Sequence, residues 1–302
     1  MNAVQIQGLV FSVVAILVAA SAAFLPRSSP QTELMVMTAL IIGLGVPHGA
    51  LDTVFAGNLY QLRTIKSWLW FVALYLLLAA FVVGFWKIYP ALFLAGFLAL
   101  SLVHFSGDPS AGTPLVSRIL YGGAILFLPH LFYNAEVTRL FSFLVGPAAG
   151  SRIAAGLQPM AALWLLGLGI ATVHRAWSHW LTALEMAAVG LLALFAPPLL
   201  AFTVFFCGMH GARHILRTMK YSGHSFHALL AARAIAPTLG FLCVLAAAFY
   251  ELRYLPWEAR LIQLVFVALA ALTVPHMMLV EQIRFSGWVG EAPPRDSMAG
   301  TR

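Results

Sequence analysis

Five histidines of this chain stand where a histidine is costly. His48, His104, His210, His214 and His276 each fall inside or at the end of a long apolar run. Ionisable groups in such runs usually face the interior of a helix bundle and mark a site. His210 and His214, in FCGMHGARHILR, are four residues apart, which sets two imidazoles on one helical face. That spacing suits a shared metal ion. In GVPHGALD, Asp52 follows His48 by one turn. Its carboxylate is expected to accept the His48 imidazole N–H and orient the ring. Direct ligation and pairing with Arg213 are the alternatives. Pro47 and Pro275 immediately precede His48 and His276. A proline bends a helix, and these two bends are expected to aim both rings at one centre. Neutral imidazoles suit zinc, copper, iron and nickel, and the residues leave all four open. Two cysteines, Cys207 and Cys243, are too few for a thiolate zinc site or a disulfide framework.

The elements that must carry these groups follow from composition. Of 302 residues, 62% are hydrophobic and 9% charged, against about 25% charged in a soluble domain. The expected fold class is all-α, a polytopic transmembrane bundle of about 8–10 helices. Ten apolar segments are read: 8–25, 33–56, 68–86, 90–106, 115–132, 153–173, 180–195, 198–218, 228–249 and 260–282. Residues 135–150 read as an interfacial or re-entrant piece. Residues 1–285 read as a single transmembrane helical domain, and 286–302 as a polar tail with no signal for order. No Lys or Arg precedes Arg27, so the first apolar run reads as a retained helix rather than a signal peptide. The formal charge of +7 is read as topology, not as nucleic-acid binding. The Lys and Arg distribution favours a multi-pass protein of the cell membrane with both termini cytoplasmic.

Segment order then groups the histidines. All five lie on even-numbered segments, which cross the bilayer in one direction. They are therefore expected at one membrane face and at similar depth. His130 maps to the other end of its segment and is left outside the site. His174, His179, His224 and His227 fall in or beside loops. Asp108 and Glu281 lie nearer the aqueous edge and receive no role. His276, beside Met277 and Met278, is expected to line the pocket rather than to bind metal.

Four stretches together carry a resemblance: PHGALD (47–52), HFSGD (104–108), HGARH (210–214) and VPHMMLVE (274–281). They resemble the Brp/Blh family of bacterial and archaeal β-carotene 15,15′-dioxygenases. The resemblance implies an integral membrane enzyme that cleaves β-carotene, or a related carotenoid, centrally with O2 to give two retinals. It implies ferrous iron, Fe(2+), held by His48, His104, His210 and His214. Beside them Asp52 and His276 are expected to serve catalysis, on their spacing and segment positions rather than on the resemblance. It also implies a substrate drawn from the lipid bilayer and raises a rhodopsin as the recipient of retinal. Met209 departs from the family pattern, where an aromatic residue often precedes the histidine. Apolar side chains near the histidines, among them Phe55, Phe105, Phe206 and Met277, suit a greasy tunnel.

Other classes use similar residues. A transporter or proton-coupled channel would use intramembrane His and Asp as a relay. The echo of VPHGALD in VPHMMLVE runs in the same direction and is no inverted repeat. A haem cytochrome would need histidine pairs facing across helices. A di-iron desaturase would need HxxHH boxes, and none is present.

Overall fold

The computed structural model describes residues 1–24, 29–223, 225 and 234–282. Among these residues the secondary structure is helical, with no strand. The elements are α1 (Ala3–Phe24), α2 (Gln31–Leu59), α3 (Ile65–Ile88), α4 (Pro90–Phe105) and α5 (Leu115–Phe132). They continue with α6 (Asn134–Val145), α7 (Pro147–Ala176), α8 (Trp180–Phe195), α9 (Pro198–Ser222), α10 (Ile235–Glu251) and α11 (Trp257–Gln282). Eight helices among the described residues are long and apolar enough to cross a bilayer. The chain is a multi-pass helical membrane protein. His224, His227, the start of the 228–249 segment and the 286–302 tail lie outside the described residues.

Punctuation residues set the boundaries. Ser29 caps α2 by accepting from the Thr32 N–H, and Thr64 with Ser67 forms a capping box at α3. Pro90, Pro147 and Pro198 each open a helix, a position where the missing N–H costs nothing. Gly146, at φ 83°, makes the sharp turn from α6 into α7, a conformation that favours glycine. The 135–150 piece holds α6, a helix of 12 residues. At ~1.5 Å per residue it is too short for a ~30 Å core. It buries Val137, Phe141 and Leu144 and exposes Arg139.

Two apolar cores flank the centre. One joins α1, α5, α8 and α9 through Phe11, Tyr121, Met186, Leu192 and Phe205. The other joins α3, α4, α6 and α11 through Val82, Leu94, Phe141 and Ile262. Between them α2, α4, α9 and α11 bring their histidine-bearing ends together. Gly211 lets α2 and α9 approach: a Cβ there would lie 3.1 Å from the Phe206 carbonyl and 3.4 Å from His48 Nδ1.

Candidate metal centre

Both longest-range arms of the site depart from a regular α-helix where they carry histidine. In α2 a π-turn spans Ile41–Gly45, with the Val46 N–H reaching the Ile41 carbonyl. Pro47, which has no N–H and clashes with the carbonyl four residues back, explains why the helix widens there. In α9 a π-turn spans Phe205–Gly211 and contains His210. Such turns re-aim side chains and recur at functional sites.

The five imidazoles form one cluster. Ring centroids of His48 lie 5.1 Å from His210, 5.5 Å from His214 and 5.7 Å from His276. His104 lies 4.3 Å from His210 and 5.1 Å from His276, and His214 lies 5.0 Å from His276. His48, His210, His214 and His276 are buried and His104 is half-buried. His48, His104 and His276 each offer a ligand atom, and these lie within 4.8 Å of one another; so do those of Asp52, His214 and His276.

Hydrogen bonds fix three tautomers. His48 Nδ1 donates to the Gly45 carbonyl at the end of the π-turn. His210 Nδ1 donates to both oxygens of Asp108, at 3.0 and 3.1 Å. His276 Nδ1 donates to Asp52 Oδ1 at 2.7 Å. Each partner is an acceptor only, so Nδ1 carries the proton and a neutral ring keeps its lone pair on Nε2. Nε2 of His210 and of His276 is buried with no hydrogen-bond partner among the described residues. A buried nitrogen lone pair without a donor is costly, and a cation removes that cost. The donor set of imidazoles with carboxylates behind them fits a metal ion.

Asp52 differs from expectation. It pairs with His276 rather than His48 or Arg213. The cause is local: Leu51 breaks the helix at ψ −5°, so Asp52 opens a new helical stretch and turns toward α11. Its second oxygen accepts the Tyr75 hydroxyl at 2.8 Å. His276 stands inside the cluster, not along an adjoining wall. His130 lies apart from it, buried and bonded through Nδ1 to Asn134. His174, His179 and Glu281 are exposed.

Sequence reasoning missed the support around Asp108. Residues 106–113 link α4 to α5 in a largely buried loop, whose backbone carbonyls need donors. Three arginines supply them. Arg118 reaches Thr113 at 2.8 Å and Ser110 at 3.0 Å; Arg217 reaches Gly107 at 3.0 Å and Asp108 at 2.8 Å. Arg213 reaches the Asp108 carbonyl at 3.1 Å and pairs with Glu185 of α8 at 2.7 Å, both side chains buried. The signal was available in HGARHILR, where Arg213 and Arg217 are four apart on α9.

A ring of apolar side chains encloses the imidazoles. Phe206 stacks on His210 at 5.8 Å and meets His48 edge-on at 5.2 Å. Phe105 lies 5.2 Å from His210, and Phe55 lies 5.7 Å from His214.

Comparison with known proteins decides the family. The family model described as Beta-carotene 15,15′-dioxygenase matches residues 39–284. The chain belongs to the β-carotene 15,15′-dioxygenase family. It is 32% identical over 255 residues to a protein named Beta-carotene 15,15′-dioxygenase from an uncultured marine bacterium, 66A03. That match covers 81% of this chain and 92% of the relative. It is 24% identical over 291 residues to a Probable beta-carotene 15,15′-dioxygenase Blh of Halobacterium salinarum, covering 83% of this chain and 84% of the relative. No solved structure matches the chain. Membership does not favour the transporter reading.

Proposed function

We propose that this protein cleaves β-carotene, or a related carotenoid, at its central 15,15′ double bond with O2 to give two retinals. The observation that carries the reading is a five-imidazole cluster, four of its rings buried, inside a chain of this family. The bond breaks and each half takes one oxygen atom of O2, so two aldehydes form with no further reductant. The cofactor in this reading is Fe(2+), held by His48, His104, His210 and His214. When bound it supplies the binding and activation of dioxygen.

The chain's own residues do the rest. Gly45 and Asp108 hold two of the rings by their Nδ1–H groups, which keeps Nε2 free to bind metal. Phe55, Phe105 and Phe206 keep water from the centre and offer a polyene an apolar surface. An apolar cavity of about 450 Å³ also opens between α1 and α9, bordered by Val10, Phe11, Val14 and Val204. At its edge Gln7 bonds the Gly208 carbonyl at 2.8 Å, two residues before His210. These features support a substrate taken from the lipid bilayer. The same reading places the protein in the cell membrane with both termini cytoplasmic and hands retinal to a rhodopsin.

Expression in a β-carotene-producing host tests the activity. Pigment extracts are expected to gain retinal as the orange colour fades. Unchanged colour with no retinal, in cells whose membranes contain the protein, would refute the reading. Alanine at His48, His104, His210 or His214 is expected to abolish cleavage, whereas alanine at exposed His174 leaves most of it.

A further inference from the structure

We propose that His276 is a fifth metal-binding imidazole, presented to the metal by an Asp52–Tyr75 strut. The inference rests on the metal-centre reading above and extends it to a residue expected only to line the pocket.

Three observations carry it. First, His276 packs against His48, His104 and His214 at 5.7, 5.1 and 5.0 Å. The last two fall within the 4.3–5.5 Å found among the four proposed ligands, and the first lies just beyond it. A wall residue would not be equally close to three of them. Second, its Nε2 is buried and without a hydrogen-bond partner among the described residues, while Nδ1–H is committed to Asp52. A bare buried lone pair is costly and a cation would remove that cost. His130 Nε2 is also unpartnered among the described residues, but of these two only His276 lies among other imidazoles. Third, both oxygens of Asp52 are engaged. Oδ1 accepts from His276 at 2.7 Å and Oδ2 from the Tyr75 hydroxyl at 2.8 Å. The carboxylate thereby braces α3 against α11 behind the His276 ring.

Tyr75 is the unexpected member. Its helix, α3, buries only Val82 and turns Val72, Leu74, Leu76 and Leu77 outward. The one hydroxyl on this stretch points inward, to Asp52. Fixing the carboxylate by a second donor limits its rotation, and so limits the swing of the His276 ring. Tyr75 and Asp52 are positioning residues; His276 touches the metal. Five imidazoles would still be compatible with dioxygen chemistry at the metal, because a hydrocarbon polyene need not bind the ion.

The test uses Co(II) as the probe on detergent-purified, chelator-stripped protein. Its visible bands follow the number and kind of ligands, independently of turnover. Asp52→Asn is expected to weaken Co(II) binding about 10–100-fold, and Tyr75→Phe about 10-fold. His276→Ala is expected to weaken it more than Asp52→Asn and to change the bands. Added imidazole is expected to restore wild-type bands to His276→Ala, which no purely structural defect would allow. His276→Gln and Tyr75→Phe preserve volume and serve if the alanine variant misfolds. Wild-type affinity and bands in His276→Gln or His276→Ala would overturn the ligand role. Wild-type affinity in Tyr75→Phe would overturn the strut. Failure of the wild-type protein itself to bind Co(II) would instead sink the metal centre, a distinguishable result.

Discussion

Asp108 has two tasks that pull apart. It must accept from His210 Nδ1 through its side chain, and its backbone must stay fixed in a buried loop. The structure divides the work. The carboxylate faces His210, while Arg213 and Arg217 hold the carbonyl at 3.1 and 2.8 Å. The loop therefore survives a change in the side chain. Asp108→Asn keeps an acceptor oxygen and loses the charge. It is expected to lower metal affinity or activity about 10–100-fold, with excess metal restoring part of the rate. Metal titration beside initial-rate measurement checks this, and a variant equal to wild type in both would remove Asp108 from the site. Arg213 is a poorer place to probe. Removing it strands Glu185 as a buried unpaired charge, a loss of about 3–5 kcal/mol in comparable pairs, and the fold would confound the result. Asp108 was visible in the sequence only as a carboxylate four residues after His104. Nothing in that spacing points to His210, which is 102 positions away.

Helices α2 and α9 show what apolar patterning conveys and what it omits. Among the described residues the apolar segments appear as helices, because length, hydropathy and proline placement mark them. The two π-turns leave no such mark. A widened turn buries much the same kinds of residue as a regular one, so periodicity does not distinguish them. The break at Leu51 is equally silent, as are the Tyr75 hydroxyl on Asp52 and the Gly45 carbonyl on His48, which accompany the pairing of Asp52 with His276. The spacing of His210 and His214 was legible, but a regular helix was assumed where a π-turn carries His210. Gly45 is the residue that makes the crossing of the π-turns feasible. A Cβ there would run into the Phe206 ring, which itself packs on His48 and His210. Gly45→Ala must therefore shift Phe206 or separate the helices. Overpacking of this kind costs about 1–3 kcal/mol. The expected outcome is a lower unfolding midpoint in detergent together with reduced metal content. A variant with wild-type midpoint and metal content would show that the close approach is not needed.

At the scale of the molecule, the histidines grouped by segment order do come together. Helices α2, α4, α9 and α11 bring them into one cluster. What the outer surface presents is apolar nearly everywhere. Leu69, Trp70, Leu77 and Phe81 on α3, and Leu163, Leu166 and Ile170 on α7, are exposed; α10 buries no residue. Such a surface is solvated by acyl chains, and so is β-carotene. If the bilayer is the source of substrate, the concentration that governs rate is the mole fraction of carotenoid in lipid, not its amount per volume of suspension. Reconstituted vesicles separate the two. Diluting vesicles at fixed carotenoid mole fraction and fixed protein-to-lipid ratio is expected to leave turnover per enzyme unchanged. Adding empty lipid to the reconstitution mixture, so that total carotenoid is constant but its mole fraction falls, is expected to slow turnover in proportion below saturation. Turnover that followed bulk concentration in both series would mean that the carotenoid arrives through water or on a carrier, and the apolar exterior would then serve only to seat the protein in the membrane.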